Sequence, residues 1–126
     1  MPLVDVLDDT FVRAGRAQVR AVTAERWPAW LPGLRLGVAE DRGDAGVRWT
    51  ARTVGTPVPL VGTAEVWLEA VPTGTVVHLY VRLDPRPGAP AARAGWRRRR
   101  LPDRLRRTWK RGLNRSKDVM EGEWSG

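Results

Sequence analysis

The 126 residues include no cysteine and carry a formal charge of +8. A chain of this length makes one domain, residues 1–126, and buries a core without staples, while the lack of cysteine excludes a disulfide framework and thiolate chemistry. No stretch approaches the roughly 20 apolar residues of a membrane span, and Asp5, Asp8 and Asp9 stand where a signal peptide carries base, so the expected location is cytoplasmic.

The charge is uneven. Up to Ala92, ten arginines balance ten carboxylates; from Arg93 onward twelve basic residues face four acids. Such asymmetry can signal an anionic partner. It is equally the ordinary look of a solvated helix face, and twenty arginines to two lysines points to a compositional bias.

Val4 to Val12 has the residue types of a first strand, interrupted by Asp8 and Asp9, which suggest a bulge. Ala14-Gly15 breaks it. Two short helices are expected next, one over Arg16 to Ala24 and a second opened by Pro28 and ended by Pro32-Gly33. Leu34 to Asp41 alternates as a strand, and Arg42 to Gly46 is a turn by composition. Val47 to Thr53 has the cleanest alternation in the chain, with Val47, Trp49, Ala51 and Thr53 on one side and Arg48, Thr50 and Arg52 on the other. Two prolines make Gly55 to Pro59 a loop.

Leu60 to Val71 and Thr75 to Leu83 form a hairpin. With Thr73-Gly74 as its loop, Leu68 faces Leu79, Val66 faces Val81 and Ala64 faces Leu83. The other side then pairs Glu69 with His78, Trp67 with Tyr80 and Glu65 with Arg82. A one-residue slip would exchange the two faces. Pro85 to Pro90 links to a long C-terminal helix over 91–121. Its seam of Leu101, Leu105, Trp109, Leu113 and Met120 falls at helical spacing. A helix with one apolar seam needs an apolar surface to lie on, and the strands supply it.

The order of elements, the segment Arg26-Trp27-Pro28-Ala29-Trp30-Leu31-Pro32-Gly33, and Trp67-Leu68-Glu69-Ala70-Val71 followed by Gly74-Thr75-Val76-Val77 resemble bacterial polyketide cyclase/dehydrase-like (SRPBCC) proteins of the START-like, Bet v 1-like superfamily. The resemblance covers nearly the whole chain. It departs in a shorter stretch between Val19 and Trp27 and in a low strand count. It implies an α+β helix-grip fold: a curved antiparallel sheet of five to seven strands, two short helices after the first strand, and the C-terminal helix on the concave face. It further implies a pocket between sheet and helix for a small hydrophobic molecule. That family shares no catalytic motif, so no activity transfers.

Around such a pocket would stand Trp27, Trp30, Trp49, Val66, Leu68, Leu79, Val81, Trp109 and Leu113, a lining that is mostly apolar as small-molecule sites are. The same side chains could instead fill the space as core. For a cyclase or dehydratase the candidate acid–base groups are His78 and Tyr80, which the hairpin register turns away from the apolar face. No motif for a metal or cofactor is present. The alternative function is non-specific binding of nucleic acid or an anionic membrane surface through Arg97, Arg98, Arg100, Arg104, Arg107 and Arg111. Trp67 and Tyr80 on the outer sheet face also admit a homodimer.

Overall fold

The computed structural model describes residues 4–54, 60–85 and 101–124, without the side chains of 24–30, 101–103, 116, 119, 120 and 122–124. Five strands form one antiparallel sheet: β1 (Val4–Val12), β2 (Leu34–Asp41), β3 (Gly46–Thr53), β4 (Leu60–Val71) and β5 (Gly74–Pro85), in the order β1-β5-β4-β3-β2. Helix α1 (Arg16–Trp30) follows β1, and helix α2 (Leu101–Trp124) ends the chain. Residues 91–100, the first part of the helix expected from the sequence, lie outside the described residues, as does the loop over 55–59.

Alternation decides the faces. Val4, Val6 and Val12 of β1, Val77 to Leu83 at odd positions of β5, Leu60, Ala64, Val66 and Leu68 of β4, and Val47, Trp49 and Ala51 of β3 are all buried. They join Val19 and Val22 of α1, Leu31, and Trp109 and Leu113 of α2 in one core. β2 is an edge strand with Leu34 and Leu36 only half-buried and Val38 exposed. An irregularity between Val38 and Glu40 twists it, a common way to blunt a free edge.

Three expectations need correction. First, Arg16–Trp30 is one helix, not two. Nothing between Arg16 and Trp27 is Gly or Pro, and Pro28 falls in the last turn, where its missing N–H costs a single hydrogen bond. Gly15 opens the helix as its N-cap: the Gln18 side chain reaches back to the Gly15 N–H at 2.8 Å, and the Gly15 carbonyl accepts from Val19 N at 3.0 Å. Gly33, at φ 84°, turns the chain out of it.

Second, Asp8 and Asp9 cause no bulge. β1 pairs with β5 without a break from Val4↔Leu83 to Val12↔Thr75. Third, the β4–β5 hairpin turns at Pro72-Thr73, so Val71 pairs with Gly74, Leu68 with Val77, Val66 with Leu79 and Ala64 with Val81. Trp67 stands opposite His78 and Glu65 opposite Tyr80. The shift from the expected register is two residues, which keeps every side chain on its expected face while changing every partner. Pro72 explains the choice. Its fixed φ suits the first corner of a turn, whereas in the strand it would lack the N–H a ladder position uses.

α2 is fastened along β1. Lys110 Nζ lies 3.4 Å from Asp8 Oδ1 and donates to the Asp9 carbonyl at 3.2 Å, and Glu121 Oε1 accepts from the Arg13 N–H at 3.4 Å. From Lys110 to Glu121 the helix advances about 16 Å, and from Asp8 to Arg13 the strand advances about as far, so the two run side by side. Trp109 and Leu113, on the flank of the helix beside Lys110, are buried in the core. Trp109 Nε1 donates to the Pro32 carbonyl at 3.3 Å, tying α2 to the segment that follows α1.

α1 also clamps the β2–β3 turn. Arg20 donates to Asp41 Oδ1 at 3.0 Å and to the Gly43 carbonyl at 2.9 Å, and the Gly43 N–H donates to Asp41 Oδ1 at 2.9 Å. The Gly43 hydrogen bond first, then Arg20, hold the Asp41 carboxyl below its usual range. Its folded pKa is therefore below the unfolded one. The clamp is fully present above the unfolded value, about 4, and is lost as pH falls through the folded value. In an NMR titration the Gly43 amide proton should move upfield in an acid step as Asp41 protonates and its hydrogen bond weakens, and Asp41→Asn should remove that step. An amide indifferent to acid would mean the clamp does not form.

Candidate functional site

The concave side of the sheet gathers seven of the sequence-derived lining residues. Trp49 projects from β3, Val66 and Leu68 from β4, and Leu79 and Val81 from β5, and all are buried in the same core cluster as Trp109 and Leu113 of α2. The helix places these last two because they are four apart, on one stripe. Trp27 and Trp30 sit in the last turns of α1, and their side chains lie outside the described residues.

One charged side chain among the described residues intrudes on this apolar layer, and sequence reasoning missed it. Asp8 shares the inward parity of Val4, Val6 and Val12, and its side chain is 15% exposed. Lys110 neutralises it through Oδ1, while Oδ2 is buried without a hydrogen-bond partner. A buried carboxylate needs such a cation, since an unpaired charge away from water is costly. The signal was available in the odd–even parity of β1; the lysine that answers it lies over one hundred residues away.

The outer side is polar and aromatic. His78 and Tyr80 both stand there, away from the apolar layer. His78 stacks on Trp67 with ring centroids 4.8 Å apart and planes 22° apart, and its Nε2 lies 3.0 Å from Glu69 Oε2. Beside them Arg42 is held by Glu65 and, at 3.3 Å, by Glu40. Those carboxylates, Glu40 by its hydrogen bond and then Glu65 by its charge, keep the guanidinium more firmly protonated than usual. A hollow of about 430 Å³, open to solvent, lies over this part of the sheet.

Of the arginines expected to meet anions, Arg104, Arg107 and Arg111 are exposed on α2, together with Arg106 and Arg115. Arg97, Arg98 and Arg100 lie outside the described residues. Among the described residues no group of His, Cys, Asp and Glu could hold a metal ion, and no helix is long and apolar enough to cross a membrane.

No family model matches the sequence, and no curated protein matches it. Solved structures do. Ara h 8.0201 aligns over 94% of this chain and 95% of its own at a TM-score of 0.54 and 15% identity. The di-domain ARO/CYC StfQ from the steffimycin biosynthetic pathway aligns over 98% of this chain and 52% of its own, at a TM-score of 0.51 and 18% identity. The chain has the Bet v 1-like helix-grip fold. Protein CV1439 from Chromobacterium violaceum shares this helix-grip architecture at a TM-score of 0.64 and 13% identity, over 93% of this chain and 96% of that one. At such identities the likeness carries the fold and not an activity. In helix-grip terms α2 is the gripped helix and β1 is the strand it rides along.

Proposed function

We propose that this protein binds a small hydrophobic molecule between the concave face of its sheet and α2, as a polyketide cyclase/dehydrase-like binding protein. The observation that supports it is the continuous apolar floor of Trp49, Val66, Leu68, Leu79 and Val81, roofed by Trp109 and Leu113, within a helix-grip fold. Trp27 and Trp30 would close one end. Likeness to an ARO/CYC protein of a biosynthetic pathway favours an aromatic or polycyclic ligand. The inward Asp8 and its partner Lys110 give this layer its one charged pair among the described residues. A ligand hydroxyl could donate to Asp8 Oδ2. His78 and Tyr80 face away from this layer, so binding takes precedence over a cyclase or dehydratase reaction run by them.

The alternative, non-specific binding of nucleic acid or an anionic membrane surface, rests on the exposed α2 arginines alone. No base-reading element accompanies them.

Native mass spectrometry of freshly purified protein should resolve a species heavier than the bare chain by one small apolar molecule, which organic solvent extracts. Bare chain alone, with no uptake of an added polycyclic phenol such as 2-naphthol, would overturn the reading.

A further inference from the structure

The outer face carries a hollow on the opposite side of the sheet from the proposed ligand layer. Trp67 is 42% exposed there. Its two cross-strand neighbours differ sharply: β5 presents His78, and β3 presents Gly46. His78 covers one face of the indole and is itself anchored by Glu69. On the β3 side no side chain rises, because a Cβ on Gly46 would overlap the Val66 carbonyl oxygen. The hollow beside Trp67 is bordered by Arg42, Arg48, Glu65, Tyr80 and Arg82, and not by His78. What the indole turns towards the hollow is therefore ring surface that His78 leaves free.

The three guanidiniums on this rim are not equivalent. Arg42 is occupied by Glu65 and Glu40, and Arg82 lies 3.5 Å from Asp5. Among the described residues Arg48 has no carboxylate within ion-pairing distance, and it is exposed one row from Trp67. An open indole surface attracts a flat π system, and an unpaired guanidinium attracts a carboxylate through two parallel hydrogen bonds.

We propose that this hollow binds a planar aromatic monoanion, its ring stacked on the free surface of Trp67 and its carboxylate paired with Arg48. A neutral ring would leave Arg48 unused, and an aliphatic acid would leave the indole bare. A polyanion would meet Glu40 and Glu65, which stand among the arginines and repel a second negative charge.

The test uses 2-naphthoate as probe, followed by NMR on the intact chain. The probe should shift the Trp67 indole N–H and the His78 ring protons in a saturable way. Trp67→Ala and Arg48→Gln should each weaken binding by roughly tenfold or more, with unfolding midpoints near that of the parent, since both residues lie on the surface. Neutral 2-naphthamide should bind several-fold more weakly. Binding unchanged in Trp67→Ala, or shifts confined to core residues such as Trp109 and Leu79, would put the probe in the concave layer and overturn the proposal. Equal affinity for the amide, or indifference to Arg48→Gln, would overturn the anionic class. Concentration-dependent shifts of Trp67 without probe would assign the surface to a second copy of the chain. No shift at millimolar probe would also overturn it. Shifts confined to the core would support the concave-side ligand while overturning this proposal; the remaining outcomes leave that ligand untouched, and native mass spectrometry tests it separately.

Discussion

Replacing Trp109 by alanine should lower the unfolding free energy by roughly 3–5 kcal/mol, the usual cost of emptying a large aromatic site that cannot collapse. Trp109 is fully buried, the largest such side chain among the described residues. It fills the space between α2, the strand floor and the segment after α1, where its Nε1–H meets the Pro32 carbonyl. Removing it leaves that carbonyl without its donor and α2 held by Leu113, Leu105 and the polar contacts along β1. Trp109→Phe keeps most of the apolar contact and should cost less, the donor alone contributing about 1 kcal/mol. Urea unfolding with an unchanged slope measures both. Trp67→Ala is the control: it removes an exposed indole and one stacking contact, worth about 1 kcal/mol. Equal losses at positions 67 and 109 would mean that α2 does not seat its tryptophan in the core.

Gly46→Ala should also destabilise the fold, by less than the loss of Trp109. Gly46 begins β3 at φ 131°, ψ −159°, a region open almost only to glycine, where any other residue costs roughly 1–3 kcal/mol. The new methyl would also overlap the Val66 carbonyl oxygen and crowd the Trp67 Cα at 3.1 Å. Relief requires β3 and β4 to separate at Gly46↔Trp67, the row that also supports the Trp67–His78 stack. Thermal unfolding should show the loss, and amide exchange should show it concentrated in the first residues of β3. A variant as stable as the parent would mean that the β2–β3 turn does not enter β3 in this conformation.

The hairpin shows where a sequence stops being informative. Alternation between Ala64 and Leu83 states which side chains share a face, because adjacent residues of a strand point opposite ways. Registers two residues apart keep that division intact. Both bury Val66, Leu68, Leu79 and Val81, so hydrophobicity could not separate them. The turn separates them, through the missing N–H of Pro72, and with it the partner of Trp67 changes from Tyr80 to His78. The Glu69–His78 contact survives the change as a diagonal pair.

Helix α1 makes the complementary point. Pro28 reads locally as a helix start, and the structure carries one helix through it. Burial of Val19, Val22 and Thr23 seats the first half of that helix on the core, and no Gly or Pro stops it before Pro28, whose missing N–H removes a single hydrogen bond near its end. Asp8 and Asp9 are similar. On paper two adjacent acids look like a fault in a strand. In the fold one of them faces the core, where Lys110 approaches it, and the other stays in solvent while its backbone carbonyl accepts from the same lysine.

The candidate site divides along the same line. Its apolar floor was legible, since Trp49, Val66, Leu68, Leu79, Val81, Trp109 and Leu113 follow from period two in the strands and a four-residue step in the helix. The outer hollow was not, because it depends on which row of β3 falls beside Trp67. By itself the amino-acid sequence determined the order of the strands, the inward and outward parity of β3, β4 and β5, and the Leu105, Trp109 and Leu113 part of the α2 seam, all of which depend on neighbours a few positions apart. Only the tertiary structure decided the β4–β5 register, the meeting of Asp8 with Lys110 and the gap that Gly46 leaves beside Trp67. Those outcomes are contacts between distant segments, chosen by packing and turn geometry once the strands are assembled.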